Sequence, residues 1–183
     1  MEKSADSGEK LRRFEALVLP HLDSAYNLAR WMTRNTTDGE DIAQESMMRA
    51  FRFFDTFRGE DARTWLLTIV RNTYLTWVHR QAPLQNSAEF DERLHTDIDS
   101  ALTPESDFLR RATAEQVRRA IENLPVEFRE VILMRELEQL SYKEIAEVTR
   151  SPLGTVMSRI SRGRSMLREF IVGQKRREAR QNG

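Results

Sequence analysis

The chain contains no cysteine, which excludes a disulfide framework and a thiolate metal site and leaves nothing that marks an oxidising compartment. Net charge is missing too: twenty-nine basic residues balance twenty-nine acidic ones, so any affinity for nucleic acid must come from local asymmetry. No apolar run approaches the roughly 20 residues that cross a bilayer, and the opening stretch, MEKSADSGEKLRR, is polar and charged. Neither secretion nor membrane insertion is expected, and the cytoplasm is the default location. The motifs of enzymes are scarce. The seven glycines fall into no Gly-x-Gly-x-x-Gly or P-loop spacing, His21, His79 and His95 are scattered, and the serines form no nucleophile elbow. No catalytic residue, metal or cofactor is therefore expected.

What is present is helical spacing. No segment sustains a period-two alternation bounded by hairpin turns, so an all-α fold is expected. At 183 residues the chain suits one ordinary domain or two small ones, and the second arrangement needs a visible linker. Between Pro83 and Asp107 the periodicity lapses and seven acidic residues (Glu89, Asp91, Glu92, Asp97, Asp99, Glu105, Asp107) face one basic residue, Arg93. We read residues 82–108 as an acidic tether between two small helical domains, 11–81 and 109–175. In the first, the spacing predicts helices from Leu11 to about Arg34, about Asp38 to Phe54, and about Arg63 to Arg80. Thr37 and Glu40 fit a capping box at the start of the second. In the second domain, helices are predicted from Leu109 to Asn123, Pro125 to about Leu137, Ser141 to about Thr149, and Pro152 to about Gly173, with the last residues frayed.

The strongest local signal lies in the last two helices. Ser141 and Glu144 form a capping box, so a helix begins there. It must be short, because Ser151-Pro152 pairs a favoured cap residue with a proline suited to the first helical position. Two helices joined by so tight a turn, with Ile145 and Ala146 available to pack on Val156 and Ile160, fit a helix-turn-helix. In the second of them Val156, Ile160, Leu167 and Ile171 repeat at core spacing, while Thr155, Ser158, Arg159 and Arg162 share another side. From Arg150 to Arg180 nine basic residues, Arg164 among them, stand against Glu169 and Glu178. A basic run alone is usually a solvated face, but the capped tight turn favours a helix laid in a major groove, with arginines reaching phosphates and guanine edges.

The string SYKEIAEVTRSPLGTVMSRISRGRSMLR closely resembles region four of the sigma-70 superfamily, especially its small extracytoplasmic-function group, in which a Gly-Thr-Val-x-Ser-Arg core opens the recognition helix. Here those residues are Gly154, Thr155, Val156, Ser158 and Arg159. The first domain resembles region two. Asp41-Ile-Ala-Gln44-Glu45-Ser-Met-Met48-Arg-Ala-Phe51 is similar to the helix that grips the clamp helices of the polymerase largest subunit. Ile42, Met47, Phe51 and Phe54 then face the core, leaving Asp41, Gln44, Glu45 and Met48 as an exposed stripe for a basic partner helix. Taken without the resemblance, such a stripe reads as a solvated helix face.

The segment from Phe54 to Arg80 resembles the end of region two, where an extruded promoter base is held. The resemblance implies minus-ten contacts by Phe57, Arg58, Arg63, Thr64, Arg71 and Asn72. Trp65, Ile69 and Trp77 read better as core. Base stacking contributes about 1–3 kcal/mol, enough to offset much of an extrusion cost of a few kcal/mol. In region four the implied minus-thirty-five contacts are Thr155, Ser158, Arg159, Arg162 and Arg164. The implied partners are core RNA polymerase, through the clamp helices and the flap of the second-largest subunit, promoter DNA, and an anti-sigma factor. The competing expectation is an autonomous homodimeric helix-turn-helix regulator, which explains the last two helices but leaves the Asp41 stripe and the aromatic-basic segment unused.

Overall fold

A computed structural model describes residues 2–59, 61–81 and 113–181, and every regular element among them is helical. The expected tether, 82–108, and the start of the helix expected from Leu109 lie outside the described residues. The first block holds α1 (Glu2–Leu17), α2 (Leu22–Thr33), α3 (Thr36–Phe53) and α4 (Ala62–Gln81), with short 3-10 turns at Leu19–His21 and Phe54–Thr56. The second holds α5 (Ala114–Asn123), α6 (Val126–Glu136), α7 (Tyr142–Thr149) and α8 (Leu153–Gln181). No helix among the described residues is long and apolar enough to cross a membrane.

Three boundaries differ from expectation, each for a local reason. The single helix expected from Leu11 to Arg34 is broken after Leu17, because Pro20 lacks an amide donor and its ring collides with the carbonyl four residues earlier. The capping box expected at Thr37 and Glu40 is replaced by a cap at Asn35. Its side-chain oxygen accepts from the Thr37 and Asp38 amides at 2.8 and 3.3 Å, so α3 starts at Thr36. The last helix runs on to Gln181 instead of ending near Gly173.

In the first block α2, α3 and α4 pack against one another around Leu28, Met32, Ile42, Leu66, Leu67 and Val70, all buried. Gly39 lets α3 approach α2 closely: a Cβ there would lie 2.7 Å from the Arg30 Cα. Phe14 of α1 closes one end with edge-to-face contacts to Phe51 and Phe54 at 5.2 and 5.3 Å. Phe51, expected in the core, is thus an exposed rim residue, whereas Ile42 and Phe54 are buried and Met47 packs partly against them.

In the second block α5, α6 and α7 gather on α8. Four successive residues of α6, Val131 to Met134, are all buried, so this helix is covered on every side, as a helix packed between two bodies must be. The two bodies are α8 on one side and the first block on the other. The blocks meet directly, through α2 against α6 and α4 against α7.

Candidate nucleic-acid and polymerase interfaces

Of the α3 stripe, Asp41, Gln44 and Met48 are exposed and Glu45 is half-buried. Ile42, Ala43, Ser46 and Ala50 are buried on the opposite side, so burial follows the helical period and fixes which residues look outward. Met48 is 56% exposed. Glu45 accepts from the Arg49 Nε at 2.6 Å, an i, i+4 pair that ties it to its own helix. The stripe is therefore two polar groups and one thioether free to meet a partner, with a carboxylate partly engaged beside them.

The segment leading into α4 is organised by Asp61, which acts as its N-cap. One carboxylate oxygen accepts from the Arg63 and Thr64 amides at 3.0 and 3.1 Å, and the other accepts from the Thr64 hydroxyl. Partial burial works against the charged carboxylate, but the Thr64 hydroxyl and the two amides outweigh it together and hold the pKa below the ordinary value. Thr64, expected to touch DNA, is consequently buried with its hydroxyl turned to Asp61. Phe57 is half-buried, with its ring 6.0 Å from Phe54 and 5.0 Å from Trp65, so it belongs to an aromatic cluster at the mouth of the core. Trp65, Ile69 and Trp77 pack against the core, as expected. Burial pushes the Tyr74 phenol above its ordinary pKa, and its ring stacks on Trp77 at 6.1 Å. Arg58 and Asn72 are exposed.

The remaining two residues of this set, Arg63 and Arg71, point into the second block. Arg71 donates to both oxygens of Glu130, from Nε at 2.7 Å and from a terminal nitrogen at 3.1 Å, a bidentate fork. Arg63 donates to the Glu138 carboxylate at 2.6 Å and to the Glu138 carbonyl, and its Nε reaches the Ser24 hydroxyl at 3.4 Å. Both glutamates are almost fully buried, their side chains 3% and 6% exposed. A third arginine, Arg129 of α6, is 2% exposed and donates to the Met32 carbonyl at 2.9 Å and the Leu124 carbonyl at 2.6 Å. It thereby satisfies a free carbonyl at the end of α2, where cations are favoured. Its Nε has no hydrogen-bond partner. Sequence reasoning missed Arg129, Glu130 and Glu138. The available signal for the first two was that Arg129 and Glu130 directly precede the apolar run Val131 to Met134.

The helix-turn-helix forms as expected at its first half. Ser141 and Glu144 cap one another, with amide-to-side-chain distances of 2.6 and 3.2 Å. The turn is made by Arg150 in the left-handed conformation (φ 52°), while the Ser151 amide returns to the Ala146 carbonyl at 3.1 Å. Ser151 does not cap α8: its hydroxyl turns to the Thr149 carbonyl at 3.4 Å. The first carbonyl of α8 is that of Pro152, which accepts from the Val156 amide at 3.1 Å. Ile145, Val156, Ile160, Leu167 and Ile171 are buried. Thr155, Ser158 and Arg159 are half-buried and Arg162 is exposed. Ser158 donates to the Thr155 carbonyl at 3.0 Å, and Arg159 lies 3.4 Å from the Ser151 hydroxyl and 4.0 Å from Glu130. Arg164 stands apart from this set. At about 3.6 residues per turn it falls half a turn from Thr155, and its guanidinium donates twice to Glu136, at 3.1 and 2.7 Å.

Comparison with known proteins matches both blocks. A family model described as Sigma-70 region 2 matches residues 17–83, and one described as Sigma-70, region 4 matches residues 114–167. An ECF RNA polymerase sigma-E factor of Haemophilus influenzae is 40% identical over 154 residues, spanning 79% of both chains. The RNA polymerase sigma-H factor of Pseudomonas aeruginosa is 36% identical over 170 residues, 87% of this chain and 86% of the relative. Among solved structures, the Bartonella quintana sigma factor RpoE, crystallised with the anti-sigma factor NepR, aligns with a TM-score of 0.67 at 22% identity, over 87% of this chain and 97% of that one. CnrH, in complex with the cytosolic domain of CnrY, aligns with a TM-score of 0.62 at 21% identity, over 93% and 94%. At those identities the likeness is one of fold.

Proposed function

Because the chain belongs to the extracytoplasmic-function group of the sigma-70 family of RNA polymerase sigma factors, we propose that its two blocks divide promoter recognition between them. The first block docks on the clamp helices of core polymerase through Asp41, Gln44, Glu45 and Met48. Its loop and α4 then contact the opened minus-ten element, through Phe57 and Arg58 at the loop and Arg63, Arg71 and Asn72 along the helix, with Thr64 holding the start of α4. The second block lays α8 in the major groove of the minus-thirty-five element. Thr155, Ser158, Arg159 and Arg162 face the DNA, and Arg164 steadies the helix against Glu136. The polymerase flap presents this block.

The observation that carries the reading is the form of α7 and α8: a doubly capped short helix, a left-handed turn, and a long helix that buries Val156, Ile160, Leu167 and Ile171 while Thr155, Ser158, Arg159 and Arg162 lie off that side. The neutral overall charge fits a factor that relies on polymerase to present two weak DNA-binding surfaces together, since linkage raises effective concentration without new contacts. Work in the cytoplasm and restraint by an anti-sigma factor follow from the same reading, and the solved sigma factor of similar fold that was crystallised with an anti-sigma factor supports the second. Purified core polymerase on an affinity resin tests the first step. Retention of the chain, lost on adding an established sigma factor in excess, is expected; passage through the column at micromolar core would overturn the docking claim.

A further inference from the structure

Two of the arginines assigned above to DNA, Arg63 and Arg71, are held in this structure by carboxylates of the chain's own second block. We propose that α6 and the turn after it act as an internal substitute for nucleic acid, so that Glu130 and Glu138 keep the free chain closed until DNA and polymerase take their place. The inference rests on the reading of Arg63, Arg71 and Arg159 as DNA-facing residues.

Three observations support it. First, the geometry is that of arginine gripping an oxyanion: Arg71 forks onto Glu130 through two nitrogens, and Arg63 reaches the Glu138 carboxylate and carbonyl together. A phosphate presents the same paired oxygens to the same fork. Second, one carboxylate serves both blocks. Glu130 accepts from Arg71 of α4 and lies 4.0 Å from Arg159 at the DNA-facing start of α8, so a single group lowers the positive potential of both proposed DNA surfaces.

Third, charged groups are buried in the contact beside the apolar residues of α6. Arg129, Glu130 and Glu138 are each 2–4% exposed, and the Arg129 Nε is buried without a partner. Removing charges from water offsets much of the attraction between them, so these ion pairs add little net stability to the contact. Water and phosphates can replace each of these contacts on opening.

The absence of cysteine makes the test direct. Cysteines placed at exposed Asn27 on α2 and Ser165 on α8 carry a donor and an acceptor dye, giving the separation of the two blocks. Affinity is read in parallel with a labelled single-stranded DNA oligonucleotide of random sequence at fixed salt. Glu130→Gln with Glu138→Gln should lengthen and broaden the separation and raise affinity about tenfold, the gain expected where about nine-tenths of the molecules are closed. Glu9→Gln with Glu15→Gln makes the same change in net charge away from the interface and should alter neither reading. Exchanging the partners, Arg63→Glu with Glu138→Arg, should keep the blocks together while affinity falls, which separates loss of the latch from loss of folding. An unchanged separation in the double glutamine variant would overturn the latch, as would an equal affinity gain in the Glu9 and Glu15 control. Opening without any gain in affinity would overturn the competition. If Arg63→Ala with Arg71→Ala then left polymerase-dependent transcription intact, the assignment of those arginines to DNA would fall with it.

Discussion

Helices α3 and α4 are neighbours in the first block, yet they meet the rest of the chain in opposite ways. α3 leaves Asp41, Gln44 and Met48 in solvent. α4 turns Arg63 and Arg71 into buried glutamates of the second block. The surface assigned to polymerase is therefore open in the free chain, and part of the surface assigned to DNA is covered. The difference suggests an order of events in which docking on polymerase precedes exposure of the DNA-facing arginines. Keeping promoter contacts dependent on core enzyme would hold the free factor off genomic DNA.

The largest expected effect bears on the open side of this comparison. Asp41→Arg with Gln44→Ala should weaken binding to core polymerase by about 2–3 kcal/mol, roughly a hundredfold in Kd, whereas Arg71→Ala should leave it nearly unchanged; titration of labelled chain with core measures both. Equal losses would erase the distinction between the helices. How α3 is seated comes next. In Gly39→Ala the new Cβ meets the Arg30 backbone, which cannot swing aside, so a loss of about 1–3 kcal/mol in urea unfolding is expected. Gly163→Ala should cost less, because its nearest neighbour, at 2.8 Å, is the side chain of Ile132.

On the covered side, α4 depends on the Asp61 cap, and Asp61→Ala should cost about 1 kcal/mol. Because the folded-state pKa of Asp61 lies below its ordinary value of 3.8, the cap's contribution is complete above that value. It fades as the pH falls through the folded pKa. Thermal unfolding from pH 6 down to pH 2 should show Asp61→Asn losing less stability with acid than the unaltered chain. The smallest effect concerns the turn before α8. Arg150 holds a left-handed conformation that suits glycine, so Arg150→Gly should leave stability unchanged or raise it by about 0.5 kcal/mol, with no change in core binding.

How much of this was readable in the sequence follows from the range of the interactions. The helix-turn-helix was legible because its determinants are local: a serine and a glutamate three residues apart, a tight turn of three residues, and an apolar stripe at helical spacing. The outward stripe of α3 was legible for the same reason. Two local details were misjudged where neighbouring signals competed, Asn35 taking the cap from Thr37 and Pro20 dividing a helix that the apolar periodicity carried through. The contacts between the blocks were not legible. Arg71 and Glu130 are 59 positions apart and Arg63 and Glu138 are 75 apart. Nothing in the local pattern says which arginine meets which carboxylate, and in a balanced chain every such pairing is electrostatically plausible. Only the four successive apolar residues Val131 to Met134 of α6 announced that something besides its own block must cover it.

The account turns most directly on run-off transcription with purified core polymerase, over a pool of genomic promoter fragments, with and without the protein. It predicts new, discrete start sites that appear only when the chain is added and that share two aligned upstream elements. An unchanged transcript pattern, together with tight binding of the chain to duplex DNA as a stable homodimer in the absence of polymerase, would contradict it.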